Sequence, residues 1–361
     1  MRRHSLVRVL AISAMTSLLD SSPARAQMPI QLKTLNEVVS TSFGVLAQSS
    51  FQSDTAPDKD PVIDACFRRL RFNAGGTIAK KVKFFVDSDT AYMGYHGAPG
   101  WSIPATILQD LSVTVEARDE LSIDVGLLIV PVSYNSTQSA ASLLGVGYSP
   151  YSFLASTSTH SRVGRDQGVQ ARGYVAGKHV EYRVGVFRGA SKHLDGVPLR
   201  YAGRVVWYPF GAQTGLFYTG TLHGQRKLIG IGASYDHQGS YASHAADAFL
   251  EWPMRSGDSV TVQADYLRYD GGQSFLQLPR QNTWFVELGY EARRSHIGVF
   301  AQLARQDITS PTAADAAAYQ SGVIWWVRAN KLNVKIGVGR TLKDGSASHT
   351  QLVAQTQLFA F

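Results

Sequence analysis

Along almost the whole chain, apolar and polar residues alternate with period two over runs of roughly ten residues, each run broken by turn-forming residues. Leu332-Asn333-Val334-Lys335-Ile336-Gly337-Val338-Gly339 puts Leu, Val, Ile and Val on one face and Asn, Lys and two glycines on the other. Leu121, Ile123, Val125, Leu127 and Ile129 oppose Ser122, Asp124 and Gly126, and Val180, Tyr182, Val184 and Val186 oppose Glu181, Arg183 and Gly185. Trp284, Val286, Leu288 and Tyr290 alternate with Glu287, Gly289 and Glu291. Such strands separate an apolar medium from a polar one. A soluble antiparallel sandwich also alternates, but alternation over this length is long for one sandwich. The apolar face also carries Trp207, Tyr208, Trp252, Tyr269 and Trp325 near run ends, as an interfacial aromatic girdle would.

The amino terminus supplies the route to a membrane. Arg2, Arg3 and Arg8 precede the apolar stretch Val9 to Leu19, and Ala24-Arg25-Ala26 offers a small-x-small cleavage site. Residues 1–26 thus read as a signal peptide cut after Ala26, leaving residues 27–361 as one β-barrel domain. The apolar stretch is too short to span a bilayer as a helix. Loss of the leader removes four arginines and one aspartate, and the formal charge falls from +8 to +5. With Cys66 as the only cysteine there is no disulfide framework to stabilise an exported chain. A closed sheet in lipid does so instead, because no strand keeps an unpaired edge.

The connections set the strand count. Short ones fall at Gly75 to Lys81, Glu116 to Glu120, Ala176 to His179, Pro209 to Gly215, Pro253 to Ser259, Ala292 to His296 and Arg328 to Lys331. Longer or more polar ones centre on 53–65, 90–104, 132–164, 188–200, 237–242, 270–281, 307–316 and 343–349. Seven turns alternating with eight loops make sixteen strands, with eighteen as the alternative count. Both chain ends of such a barrel lie on the periplasmic side, so the count is even. Leu216 to Leu222, which also looks strand-like, is therefore assigned to an elongated turn or an irregular strand start. The stretch from Val125 to Ser161 has no Asp, Glu, Lys or Arg, yet Pro131 and Pro150 exclude a membrane helix. It reads as a strand end and a long loop. The last strand, Thr350 to Phe361, ends on an aromatic residue, the expected signal for the barrel-assembly machinery.

Several stretches resemble the phosphate-selective porin O and P family. They are Phe67-Arg68-Arg69-Leu70-Arg71 with Gly75-Gly76 and Val82 to Asp89, Val125-Gly126 running to Val130-Pro131, and Arg165-Asp166-Gln167-Gly168-Val169 with Gly173. Tyr182 to Gly189, Arg204 to Phe210, and Gln355-Thr356-Gln357 with Phe361 complete the set, in the family's order and spacing. The resemblance implies a sixteen-stranded trimeric channel in the outer membrane of a Gram-negative bacterium, passing small polar solutes, in some members phosphate. It also implies that the 132–164 loop folds into the lumen. Family members that select phosphate use arginines and lysines at a constriction partly carried by that loop. Here the loop has no basic side chain until His160 and Arg162, which weakens the expectation of phosphate selectivity.

If the aliphatic phase meets lipid, the other phase lines the lumen, since an Arg or Lys facing lipid costs about 2–4 kcal/mol near the midplane. The basic candidates are Arg69, Arg71, Lys83, Arg162, Arg165, Arg172, Arg183 and Lys335, with Arg204 in the same phase. The acidic candidates are Asp110, Asp124, Glu181, Asp265 and Glu287, joined by Asp87, Asp247, Glu251 and Glu291. Two uses compete: separated arcs that set a transverse field, and cross-strand pairs that stiffen the wall. Asp87-Ser88-Asp89 lacks the further ligands of a calcium loop and reads as a strand end. Adjacent His160 and Ser161 point apart on an extended chain. His193, His223, His237 and His244 lack metal-ligand spacing and read as solvated loop residues.

No catalytic, metal or cofactor site emerges, and Lys80-Lys81-Val82-Lys83 is too little for nucleic acid. The expected partners are outer-membrane lipid, small polar or anionic solutes, two further copies in a homotrimer, and the assembly machinery. Two other classes remain open. A barrel enzyme needs a nucleophile and base grouped at one rim, and a soluble exported sandwich that binds carbohydrate predicts no channel activity.

Overall fold

The computed structural model describes residues 32–33, 40–57, 59–95, 105–152, 164–189, 198–275, 278–309 and 313–361. The leader 1–26, His160, Ser161, Arg162 and His193 lie outside them. A two-residue strand β1 (Leu32–Lys33) precedes sixteen long ones. These are β2 (Ser40–Thr55), β3 (Val62–Ala79), β4 (Val82–Asp89), β5 (Ile107–Arg118), β6 (Leu121–Ile129), β7 (Arg165–Val175), β8 (Val180–Phe187) and β9 (Arg200–Trp207). The second half comprises β10 (Leu228–Gln238), β11 (Tyr241–Pro253), β12 (Ser259–Asp270), β13 (Gln281–Ala292), β14 (Ile297–Ile308), β15 (Ala316–Asn330), β16 (Leu332–Lys343) and β17 (His349–Ala360).

Each long strand pairs antiparallel with the next, and β17 returns to β2 from Thr350↔Thr55 to Ala360↔Val45. The ring is therefore closed with sixteen strands, and the seventeenth segment, Leu216 to Leu222, is not a strand. Closure pairs the backbone of every strand on both sides, as lipid requires. Outside, Val184, Val205 and Ile336 leave 57%, 53% and 54% of their surface uncovered, a face stable in hydrocarbon and costly in water. Their strand neighbours Arg183, Arg204 and Lys335 are buried within.

Four expectations need correction. Trp207, Trp252 and Trp325 do face outward, but Tyr208 and Tyr269 are buried inside. Their hydroxyls donate to Glu181 Oε2 (2.9 Å) and to the Ser152 carbonyl (2.9 Å), so polar partners in the lumen outweigh the girdle position. The 237–242 connection is a two-residue turn, Gly239-Ser240, between β10 and β11, the left-handed Gly239 (φ 60°) closing it tightly. Pro209 to Gly215 is only the start of a connection that runs from Tyr208 to Lys227. His223, within it, is not solvated: its ring meets Glu291 Oε2 at 2.8 Å and the edge of Trp326.

Alternation is also broken within β3. Gln48 pairs with Arg69 while Ser49 pairs with Phe67, leaving Arg68 as an extra residue in a bulge. Asp64 and Cys66 face in before the bulge, Arg69 and Arg71 after it, so the phase switches there.

Candidate permeation path

Two segments fill much of the lumen. The first leaves the wall after Ile129, the end of β6, three residues beyond Gly126, which adopts φ 138°, a conformation suited to glycine, with the Leu111 carbonyl where a Cβ would stand. From Leu127 onward the alternation stops and nearly every side chain to Ser149 is buried. Residues 130–152 lie inside the barrel. A helical turn, Tyr134–Thr137, is capped by Ser133, whose hydroxyl also donates to Asp265 Oδ2 (3.1 Å). Gln138 Nε2 donates to Gln263 Oε1 (2.9 Å), Glu287 accepts from the Gly145 amide (3.2 Å), and Lys335 Nζ donates to the carbonyls of Leu143 (2.5 Å) and Gly145 (2.9 Å). Gln48 and Gln357 donate to the carbonyls of Ala140 (3.1 Å) and Ala141 (2.7 Å). These anchors run from β12 round to β2.

The second segment is the Tyr208 to Lys227 connection, which enters from the side of the short turns. It meets the first along a parallel bridge: the Tyr218 amide donates to the Thr137 carbonyl (3.0 Å) and the Ser139 amide to the Tyr218 carbonyl (2.8 Å). Glu251 accepts the amides of Leu222 (2.5 Å) and Gly224 (2.6 Å), while Arg183 donates to the carbonyls of Leu216 (2.8 Å) and Gly215 (3.2 Å). Tyr134 stacks between Tyr218 (4.6 Å) and Phe249 (4.3 Å), joining both segments to the wall.

Nearer the short turns, what stays open lies on the β2–β7 side. At the short-turn end is a cavity of about 980 Å³ lined by Lys83, Phe85, Glu116, Asp119, Arg172, Lys178, Phe217 and Phe361 among others. It narrows into a space of about 140 Å³ between the inward residues Gln138–Ala141 and a wall carrying Arg71, Asp87, Asp110 and Arg165. Toward the long loops, a further cavity of about 170 Å³ is bordered by Arg68, Gly147, Tyr148, Gln302 and Gln320.

Most of the wall arginines are paired with carboxylates. Arg71 bridges Asp87 (3.2 Å) and Asp89 (2.9 Å), and Arg165 bridges Asp110 (3.0 Å). Arg172 bridges Asp124 (2.8 Å), Arg183 bridges Glu181 (2.6 Å), and Arg204 holds Asp247 through two bonds of 2.5 and 2.7 Å. Arg172, Arg183 and Arg204 stand in direct register on β7, β8 and β9, a repulsive row that the three carboxylates neutralise. Lys83 sits at the rim with Glu116 (2.7 Å).

The residues chosen from sequence therefore separate into two groups. Arg71, Lys83, Arg165, Arg172 and Asp110 border the open space, whereas Arg69, Arg183, Lys335, Glu181, Asp265 and Glu287 lie beneath the inward segments. Asp124 is buried behind Arg172 and Thr114, and Arg162 lies outside the described residues. Sequence reading missed Arg68, hidden by the bulge, and Arg200, placed in a loop but clamped between Asp166 (3.3 Å) and Asp236 (2.5 Å). Phe361, on the inward phase of β17, lays its ring over Gly44 and Gly75.

The family model described as phosphate-selective porin O and P matches residues 45–245. The chain belongs to that family. This porin has the fold of several solved structures, each about one-tenth identical to it. The anion-selective porin from Comamonas acidovorans superposes with a TM-score of 0.57 at 10% identity, covering 89% of this chain and 100% of that one. Salmonella typhi OmpF in complex with daunomycin gives 0.59 at 10%, covering 91% and 100%. The trimer form of Vibrio cholerae OmpT gives 0.54 at 10%, covering 89% and 99%. No curated protein matches the sequence. The porin is an outer-membrane channel for solute diffusion in a Gram-negative bacterium, and family and fold point to a channel rather than an enzyme.

Proposed function

We propose that this porin works as a homotrimer and passes small hydrophilic solutes, phosphate-sized anions among them, with little preference for charge sign. The carrying observation is that Arg71, Arg165 and Arg172, three buried arginines bordering the open space nearer the short turns, are each held by at least one aspartate. A paired arginine presents a weak field to a passing ion, so size and shape govern passage more than charge does. The fold shared with the trimer form of Vibrio cholerae OmpT supports the assembly. The carboxyl-terminal Phe361 stands as the proposed signal for barrel assembly, and residues 1–26 as the proposed leader cleaved after Ala26.

Reversal potentials in planar bilayers, measured with potassium chloride and potassium phosphate gradients, test the reading. Anion and cation permeabilities of similar size are expected. A potential close to the Nernst value for either ion would refute weak selectivity. Native mass in detergent tests the trimer, a single-chain mass being the contrary result.

A further inference from the structure

The rim of short turns is charged unevenly round the ring of strands. On the β3–β8 side, Lys83 meets Glu116 (2.7 Å), Arg118 meets Glu120 (3.9 Å) and Lys178 meets Asp119 (2.9 Å). On the β10–β16 side, Lys227, Arg255, Arg293, Arg294, Arg328 and Lys331 are all exposed, and none is ion-paired among the described residues. The turns after β11, β13 and β15 hold one carboxylate, Asp258. It accepts from the Ser256 hydroxyl (2.8 Å), the Tyr290 hydroxyl (2.9 Å) and the Arg293 amide (3.1 Å). Like charges gathered on one arc build a positive potential that attracts an anionic partner.

The sequence spacing sets the depth of this arc. Arg255, Arg293 and Arg328 each stand three residues beyond an outward aromatic, respectively Trp252, Tyr290 and Trp325. Lys227 lies over the Trp252 ring, 4.3 Å from its centroid. Outward tryptophan and tyrosine near strand ends place their rings at headgroup depth. Cations just beyond them therefore stand among lipid phosphates. The short turns of such a barrel face the periplasm, so the phosphates are those of the inner leaflet of the outer membrane. A soluble acidic polymer would match the charge but not the apolar rings beside it. A lipid matches both, with a phosphate for the cations and acyl chains for Trp252 and Trp325.

We propose that Lys227 and the basic turns after β11, β13 and β15 form a docking arc for anionic glycerophospholipid in the periplasmic leaflet. One sector of the barrel is thereby lined by that lipid, whatever solute the channel passes.

The test is tryptophan fluorescence of the refolded porin in phosphatidylcholine vesicles that contain brominated phosphatidylglycerol. The reference is the same fraction of brominated phosphatidylcholine. Bromine quenches the tryptophans its lipid touches, so stronger quenching by phosphatidylglycerol is expected. The preference should vanish in about 1 M potassium chloride, where charges are screened within about 3 Å. Arg255→Gln with Arg328→Gln should lower it about fivefold per cation removed, the factor for one Lys or Arg near an anionic surface. Arg118→Gln, on the paired side, should leave it unchanged. Heat-modifiable migration shows which variants fold, and the salt dependence of the wild type carries the test if the double variant does not. Equal quenching by the two lipids, a preference that survives high salt, or one unchanged in the folded double variant overturns the arc. Retention of soluble polyglutamate without any lipid preference also overturns it, and gives these cations to an acidic polymer.

Discussion

Tyr134 is the side chain on which docking of the first inward segment most depends, and Tyr134→Ala is the perturbation that measures it. Its ring is fully buried, lies nearly parallel to Tyr218 (14°) and Phe249 (10°), and its hydroxyl is within 2.9 Å of Gln213 Oε1 and 3.1 Å of the Thr219 carbonyl. Truncating a buried aromatic costs about 3–5 kcal/mol, and each lost ring pair adds about 0.5–1.5 kcal/mol. The terms overlap because one ring makes them all, so about 4–6 kcal/mol is the working figure. At 1.4 kcal/mol per decade, that shifts the docking equilibrium of the 133–138 turn by about three to four orders of magnitude. The remaining anchors, at Ala140, Ala141, Leu143 and Gly145, keep the rest of the segment in place. Tyr134→Ala is therefore expected to raise single-channel conductance and open-channel noise while leaving heat-modifiable migration intact. Tyr134→Phe keeps the stack and loses only the hydroxyl, about 1 kcal/mol, and should conduct like wild type. An alanine variant with wild-type conductance and noise would refute the view that this stack holds the segment in the lumen.

Three further outcomes follow from the pairing of charges. Arg204→Met leaves Asp247 unpaired and directly opposite Asp265, which should destabilise the barrel by about 3–5 kcal/mol. Urea unfolding in lipid reads this, and the double variant Arg204→Met with Asp247→Leu should recover much of the loss. Arg71→Glu should shift the anion/cation permeability ratio toward cations, whereas Arg183→Glu, beneath the second segment, should not shift it in channels that fold. A shift from Arg183→Glu alone, or none from Arg71→Glu, would contradict the placement of the path. Glu251→Ala removes the acceptor of two inward-segment amides and should speed hydrogen exchange at Leu222 and Gly224, with little change in the strands.

The wall was legible in the sequence because lipid on one side and a polar lumen on the other force period two on every strand. Asn333 and Lys335 facing in, with Ile336 and Val338 facing out, follow from that rule without further information. The bulge at Arg68 was not legible, because one inserted residue changes the phase without changing composition. Nor did alternation reveal Tyr208 and Tyr269, since a tyrosine at a strand end suits a lipid interface and a polar lumen equally well. The uncharged stretch from Val125 carried the clearest unread signal. Leu144 and Val146 in a segment without Asp, Glu, Lys or Arg describe a chain to be buried, here against Phe300, Ile324 and Trp326. A loop meant for water would not carry them.

The same stretch explains why listing charges by phase cannot by itself locate a filter. Burying 130–152 exposes many backbone N–H and C=O groups that no strand pairs, and each needs a partner. Glu287 takes the Gly145 amide, Lys335 takes two carbonyls, and Gln48 and Gln357 take two more. Glu251 and Arg183 do the same for the second segment. Lumen-facing charges on β8, β11, β13 and β16 are thereby committed to holding the inward segments, and the wall charges that border the space nearer the short turns belong to β3–β5 and β7. Charge in this barrel first decides where the backbone goes. Of the basic residues chosen by phase, Arg71, Lys83, Arg165 and Arg172 with their carboxylates are left facing the gap, where they can act on a passing solute.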